Sequence, residues 1–210
     1  MKAKAKFDAA MVRCEKLIEI YEGSKNYDVL RMVVVLGVSA LDSYATNRFM
    51  DECIPYVRKC CDEDSAAKFL EKLGLTFKVA IKIFKSGGSR PLRKVRTEVE
   101  RIHEKDVRQS FKKIDDLFVM YGVSDISKHA LKKIGCKTAE KKIGNMIKRR
   151  HQIVHEAESN KILLSVVLNW LDYLKRFVDA MDDILFNSFS SMRRRFIKMQ
   201  KQCAADGTAR

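Results

Sequence analysis

Apolar residues recur every three or four positions along almost the whole chain, and only two prolines, Pro55 and Pro91, are present to interrupt them. This spacing is the period of one face of an α-helix, whereas a half-buried strand requires strict alternation, which is scarce here. Proline is the residue that breaks helix interiors most strongly. The sequence therefore predicts an all-α fold of six to eight helices, in a single domain that covers residues 1–210.

Glycine, proline and capping residues indicate where the first helices begin and end. A helix within residues 1–25 is expected to stop near Gly23, because glycine takes the left-handed conformation at a helix end without strain. The next helix should begin near Asn26, and Pro55 should end or kink it. The glycine-rich segment 86–91 is the clearest loop in the sequence and the one linker candidate.

The C-terminal half carries similar signals. A short basic helix should be closed by Gly135, and Thr138 should open the helix that follows. Ser159 or Asn160 is the expected N-cap of a long amphipathic last helix. The tail of residues 190–210 is polar and basic, and we expect it to fray.

The chain is strongly basic, with 42 Lys and Arg against 27 Asp and Glu and a formal net charge of +15. Such a charge attracts phosphate polyanions through counterion release, so RNA, DNA and anionic membrane surfaces are all conceivable partners. A hydrophobic fraction of 46% argues against disorder. No stretch reaches the roughly 18 uninterrupted apolar residues of a membrane span, and the start of the chain lacks an apolar signal core. We therefore expect a cytoplasmic protein that does not enter a membrane.

The six cysteines form no Cys-x-x-Cys pair and follow no regular spacing. This pattern disfavours both a zinc ribbon and a secreted disulfide framework. Free thiols in a reducing compartment are the expected state, since cysteine often serves as a small buried hydrophobe.

The densest chemistry lies in residues 148–157, where three consecutive cations precede two of the four histidines. Histidine changes charge near neutral pH, and a guanidinium can hold a phosphate in two places at once, so a phosphodiester substrate is suggested. His151 and His155 share one helix face, but Arg150 lies about 140° from His155 around an ideal helix. Either the arginine bends back, or the helix loosens, or a second copy of the chain completes the site. The negative end of the helix dipole also favours a protonated His155.

The sequence Arg150-His151-Gln152-Ile153-Val154-His155 resembles the signature of the HEPN superfamily, in which a polar residue follows the arginine and a histidine comes four to six residues later. Residues 38–44 resemble the central-helix segment of the RiboL-PSP-like HEPN branch, and residues 110–115 together with residues 121–126 resemble its middle region. The resemblance spans about residues 26–187, which we expect to form the core of the domain. The motif follows these segments and precedes an amphipathic last helix, and this order supports the resemblance.

This resemblance implies a HEPN-type helical bundle that forms a homodimer, with two Arg-His motifs at a shared cleft. It also implies a metal-independent endoribonuclease, without a cofactor, that cleaves RNA by attack of the ribose 2′-OH. In that scheme His155 is the general acid or base, His151 assists, and Arg150 holds the scissile phosphate. Lys148 and Arg149 would add RNA phosphate contacts. Family context suggests a role in defence or toxin-antitoxin control, with an antitoxin or another regulatory protein as a possible partner.

Two other interpretations stay open at this point. His151 and His155 have the spacing of two zinc ligands on one helix, although a zincin carries Glu where Gln152 stands and no third ligand is evident. A non-catalytic HEPN module that binds nucleic acid or nucleotide, or acts as a scaffold, would have the same fold, because fold does not guarantee chemistry. The intact Arg150 and His155 favour activity over that module.

Overall fold

A computed structural model describes residues 2–85, 91–103, 110–157 and 159–207. Within these ranges the chain forms nine α-helices and no strand, so the predicted all-α fold is confirmed. The count exceeds the six to eight helices expected, because the stretch before the linker candidate is divided into two short helices. The helices are α1 (Lys2–Ser24), α2 (Tyr27–Lys59), α3 (Glu63–Lys72), α4 (Phe77–Lys85), α5 (Pro91–His103), α6 (Phe111–Val119), α7 (Ile126–Ile134), α8 (Ala139–His155) and α9 (Leu164–Gly207).

Helix α2 is the centre of the bundle and packs against α1, α5, α6, α8 and α9. Its residues Leu30, Val33, Val34, Val38 and Leu41 are fully buried, as expected for a helix that is covered on several sides. By length and composition alone α2 is also the one described helix that could cross a membrane, and half of its most apolar window is buried within the bundle.

A glycine in α2 sets the position of α8. A Cβ atom at Gly37 would lie 2.6 Å from Cε of Met146 on α8 and 3.2 Å from Cδ2 of Leu171 on α9. Both distances are shorter than ordinary van der Waals contact, so a larger residue at position 37 would require the ends of the Met146 and Leu171 side chains to shift. The buried face of α8 packs against the core here, and its opposite face is left toward solvent.

A buried ionic network joins α2 to α9. The Arg48 guanidinium contacts Glu52 at 2.6 Å and Asp182 at 3.1 Å, and Arg193 pairs with the second oxygen of Glu52. Tyr44 donates to Asp182 at 2.9 Å, and burial, followed by the charge of Asp182, raises the pKa of Tyr44 so that it remains a neutral donor. Within this network each charge has an opposite partner, as burial of charges requires.

The structure confirms some predicted helix ends and corrects others. Helix α1 ends at Ser24, close to Gly23 as predicted, but the left-handed conformation falls on Lys25, with a φ of 53°. Asn26 caps α2 as predicted, since its side chain accepts from the backbone N–H of Asp28 at 2.9 Å. Pro55 does not end this helix, which continues to Lys59, and a kink at Pro55 stays a prediction. In the turn that follows, the Tyr56 ring lies 4.8 Å from the Phe69 ring and 4.9 Å from the Tyr121 ring, centroid to centroid.

The C-terminal half also departs from expectation in two places. Gly135 closes α7 in the left-handed conformation and Thr138 precedes α8, as predicted. Helix α9, however, begins at Leu164, so neither Ser159 nor Asn160 is its N-cap. The segment expected to fray from residue 190 is helical as far as Gly207, since α9 continues without interruption. The linker candidate at 86–91 falls almost entirely outside the described residues.

Candidate active site

Helix α8 presents the Arg-His motif at its C-terminal end. Ile143 and Met146 are buried and anchor the helix to the core, and Arg150 follows Met146 by one turn on the same side. The helix ends at His155, and the backbone N–H of Glu156 donates to the carbonyl of Gln152 at 3.0 Å. The arginine therefore starts at the edge of the core, whereas the histidines face outward.

One cavity of about 580 Å³ gathers most of the predicted site residues. Its volume lies within the range typical of sites for small ligands, roughly 300–1,000 Å³. The lining contains no carboxylate among the described residues, so the cavity is electropositive. It is lined by Ser110, Lys113, Ile147, Lys148, Arg150, His151 and His155.

The cavity shows how Arg150 and His155 meet although they lie about 140° apart around an ideal helix. Helix α8 is continuous from Ala139 to His155, so it does not loosen at the motif. Both side chains nevertheless line the same cavity of a single chain. Among the three possibilities raised by the sequence, the geometry therefore favours a long arginine side chain that reaches around the helix.

Arg150 has no protein partner among the described residues. Its Nε atom is buried and forms no hydrogen bond, as is also true of Arg193, but unlike that of Arg193 the guanidinium forms no ion pair with the described carboxylates. A buried donor without an acceptor costs about 1–3 kcal/mol, so native structures seldom leave one unsatisfied. An anionic ligand in the cavity would satisfy this group.

His151 and His155 are exposed and close together. Their ring centroids are 4.6 Å apart, with planes inclined by 44°. Neither ring forms a hydrogen bond or ion pair with another side chain in the part of the chain that the structure describes, so the ring nitrogens are open to a ligand. A neutral imidazole carries one donor and one acceptor nitrogen, so two adjacent rings can give and take protons on one substrate.

Of the two predicted RNA contacts, only Lys148 lines the cavity. Arg149 points elsewhere and donates from Nη2 to the carbonyl oxygen of Asn160 at 2.8 Å. Arg31 on α2 donates to the preceding carbonyl, that of Ser159, at the same distance. The two arginines hold the turn that follows His155, and a phosphate contact by Arg149 stays a prediction.

Sequence reasoning did not single out Ser110 and Lys113 as site residues. They belong to the start of α6, about forty residues before the motif, and tertiary packing brings them to the cavity. Ser110 is recognisable as a helix N-cap, and its side chain accepts from the backbone N–H of Lys113 at 3.3 Å. The N-cap pattern at Ser110 predicts where α6 begins, but it does not predict that the start of α6 lies beside the motif on α8.

Within the described ranges, no three His, Cys, Asp or Glu side chains are grouped as metal ligands usually are. His151 and His155 thus have no third ligand among these residues, which weakens the zinc interpretation. Five cysteines are described, namely Cys14, Cys53, Cys60, Cys61 and Cys136, and all five are free thiols, as predicted.

An all-α bundle with an electropositive cavity, and with an Arg-His motif on the penultimate helix, defines the class of HEPN-type proteins. A family model described as RiboL-PSP-HEPN matches residues 12–187, and the chain belongs to this family. HEPN domains are often ribonucleases, and membership suggests a nuclease or nucleotide-binding module. No curated protein and no solved structure gives a significant match to the chain.

Proposed function

We propose that the protein is a metal-independent endoribonuclease whose reaction takes place in the cavity at the end of α8. The observation that carries the proposal is the presence of an unpaired arginine and two open histidines around one cavity of a single chain. Guanidinium and imidazole are the groups that hold a phosphate and move protons near neutral pH.

In this mechanism the ribose 2′-oxygen attacks the adjacent phosphorus while an imidazole accepts the 2′-OH proton. The bond from phosphorus to the 5′-oxygen breaks, and that oxygen leaves with a proton donated by an imidazole. His155 is the principal acid or base, and His151 assists in proton transfer or in orienting the substrate. The products are a 2′,3′-cyclic phosphate and a 5′-OH, so DNA, which lacks the internal nucleophile, is not cleaved.

Arg150 stabilises the charge that builds on the non-bridging phosphate oxygens. Its side chain is desolvated at Nε and has no competing carboxylate in the cavity, so its charge is available to the transition state. Lys148 adds a second positive charge on the same wall. The net charge of +15 raises the local concentration of RNA around the molecule.

A symmetric homodimer in the cytoplasm is part of the proposal, since twofold pairing is the commonest closed assembly. An apolar groove of about 550 Å³ supports it, formed where α2 meets the end of α8, with Met32, Leu36 and Ile153 in its lining. Exposed Met32 and Val154 lie on these two helices. A second copy bound to this face would bring the Arg-His motifs of the two chains close together. A role in defence or toxin-antitoxin control, with a protein partner that regulates the activity, is also part of the proposal.

The experiment is RNA cleavage by the purified wild type, with analysis of the product ends. Single-stranded RNA, structured RNA and single-stranded DNA are compared, each with and without EDTA. We expect cleavage of RNA alone, 2′,3′-cyclic phosphate ends, and equal rates with and without the chelator. Loss of cleavage in EDTA would favour a metal enzyme instead. RNA that is bound but never cut would favour the alternative, a non-catalytic HEPN module that binds nucleic acid or nucleotide.

A further inference from the structure

The cavity has a second wall that the proposed reaction does not use. We infer that Lys113 and Ser110 on α6 form a second phosphate subsite, which binds the phosphate next to the scissile one in the RNA strand. This inference rests on the proposed ribonuclease function and deepens it. The substrate is then a strand with at least two consecutive phosphates, one held from α8 and the other from α6.

The start of α6 is held firmly in place. Ile114, Leu117 and Phe118 are buried in the core. The backbone N–H of Ser127 donates to Asp115 at 2.7 Å, and the Ser127 hydroxyl donates to the carbonyl of Phe111 at 3.3 Å. The first turn of α6 is thus fixed against α7, and its residues Ser110 and Lys113 line the same cavity as Arg150.

The donors of this wall are not used by the described protein. Ser110 Oγ accepts a hydrogen bond from the backbone of Lys113, which leaves its own proton for an acceptor in the cavity. The Lys113 ammonium forms no ion pair with the residues that the structure describes, although it lines the cavity. A hydroxyl and an ammonium together suit a phosphate oxygen.

Lys113 lies at the positive end of the α6 dipole, in a first turn that contains no acidic residue. A cation there slightly lowers helix stability, and the neighbouring Lys112 has the same small cost. What distinguishes Lys113 is that it lines the cavity, whereas Lys112 does not. With an anion present, the same dipole adds to the attraction.

The cavity has room for more than one phosphate group. Its volume of about 580 Å³ is close to that of roughly 20 water molecules at about 30 Å³ each, which is more than a single phosphate occupies. Cations stand on two walls that come from different helices, with Arg150 and Lys148 on α8 and Lys113 on α6. One phosphate of an RNA strand would bind the cations on α8, and the next phosphate along the strand would bind Lys113 on α6.

The test uses binding, so it does not depend on cleavage. Two inert ligands are titrated by NMR: a dinucleotide with one phosphate and a trinucleotide with two, both with 2′-deoxyribose before each phosphate. Wild type is compared with Lys113→Gln and with Lys112→Gln, a matched control whose exposed lysine is next in sequence but does not line the cavity. Unfolding curves of all three proteins verify that the variants are folded.

Wild type should bind the trinucleotide more tightly than the dinucleotide. Lys113→Gln should weaken trinucleotide binding about fivefold and dinucleotide binding less than twofold, while Lys112→Gln changes both by less than twofold. The slope of log affinity against log salt for the trinucleotide should fall in magnitude by about 0.7 in Lys113→Gln. Equal weakening of both ligands, no weakening, or no preference of the wild type for two phosphates overturns the subsite. Absence of RNA cleavage by the wild type would instead refute the nuclease proposal, and these titrations would still decide the subsite.

Discussion

Arginines occupy two contrasting environments in this molecule. Between α2 and α9, Arg48 is 4% exposed, contacts two carboxylates and lies over the Phe189 ring at 5.5 Å. At the end of α8, Arg150 is half-buried, and its Nε has no acceptor among the described residues. The first arginine is paired with carboxylates and joins two helices. Arg193 in the same network also has a buried Nε without an acceptor, but it pairs with Glu52. The lack of a carboxylate partner among the described residues is therefore what separates Arg150 from the structural arginines, and it leaves the guanidinium for an anion.

The largest expected effect is on catalysis at the cavity. His155→Ala should lower the cleavage rate about 10²- to 10⁴-fold because a proton-transfer group is lost, and Arg150→Ala about 10²- to 10³-fold because phosphate charge is less stabilised. Single-turnover cleavage of labelled RNA measures both. His129→Ala on α7 and Lys141→Ala on α8 are matched controls, since both side chains are exposed and lie outside the cavity. Undiminished cutting by His155→Ala and Arg150→Ala would remove the catalytic assignment.

Replacing Arg48 or Arg150 with methionine tests how much each arginine contributes to the stability of the fold, and the larger loss is expected at Arg48. Arg48→Met should lower the free energy of unfolding by about 3 kcal/mol, because it leaves the buried carboxylate of Glu52 with one partner fewer. Urea unfolding followed by circular dichroism measures the loss. A change below about 1 kcal/mol would show that the network between α2 and α9 contributes little to the fold.

A smaller loss of stability than that of Arg48→Met is expected in the turn that follows His155. Arg149→Ala should cost about 1 kcal/mol of unfolding free energy, since it removes the hydrogen bond to the carbonyl of Asn160. Urea unfolding measures this change as well. If stability stays unchanged while RNA binding weakens strongly, Arg149 acts on RNA as the sequence suggested, and its contact with the turn is secondary.

The smallest effect should come from Arg150→Met, the counterpart of Arg48→Met. Because Arg150 forms no ion pair with the described residues and its buried Nε has no acceptor, the substitution should change the unfolding free energy by less than about 0.5 kcal/mol, or raise it. A loss above about 1.5 kcal/mol would mean that the arginine supports the fold, and the contrast between the two environments would fail.

The sequence predicts those parts of the fold that depend on local chemistry. Asn26 and Gly135 mark helix ends correctly, because capping and left-handed closure involve only a few adjacent residues. Thr138 lies directly before α8 as predicted, although its side chain forms no capping hydrogen bond. Of the two outcomes predicted for Pro55, an end of the helix is wrong, because α2 continues to Lys59. The Tyr56 ring packs beside Phe69 and Tyr121, and such tertiary contacts commonly override local propensity.

In the candidate site, too, residues that are consecutive in sequence could be predicted, whereas residues brought in by tertiary packing could not. The motif on α8 can be found from spacing alone, since its residues are consecutive. Lys113 and Ser110 could not be assigned to the cavity, because only the packing of α6 and α8 in the bundle brings them near Arg150. Arg149 looks equivalent to Lys148 in sequence, yet a rotation of about 100° around α8 turns it to the Asn160 carbonyl.

The central claim is that Arg150 and His155 act on the same phosphodiester. Single-turnover cleavage by wild type, Arg150→Ala, His155→Ala and the double variant tests it directly, because residues that act as a unit give strongly non-additive losses. We predict that the double variant is no slower than the slower single variant. Losses that multiply, so that the double variant is slower by the product of the two single effects, would contradict a shared site.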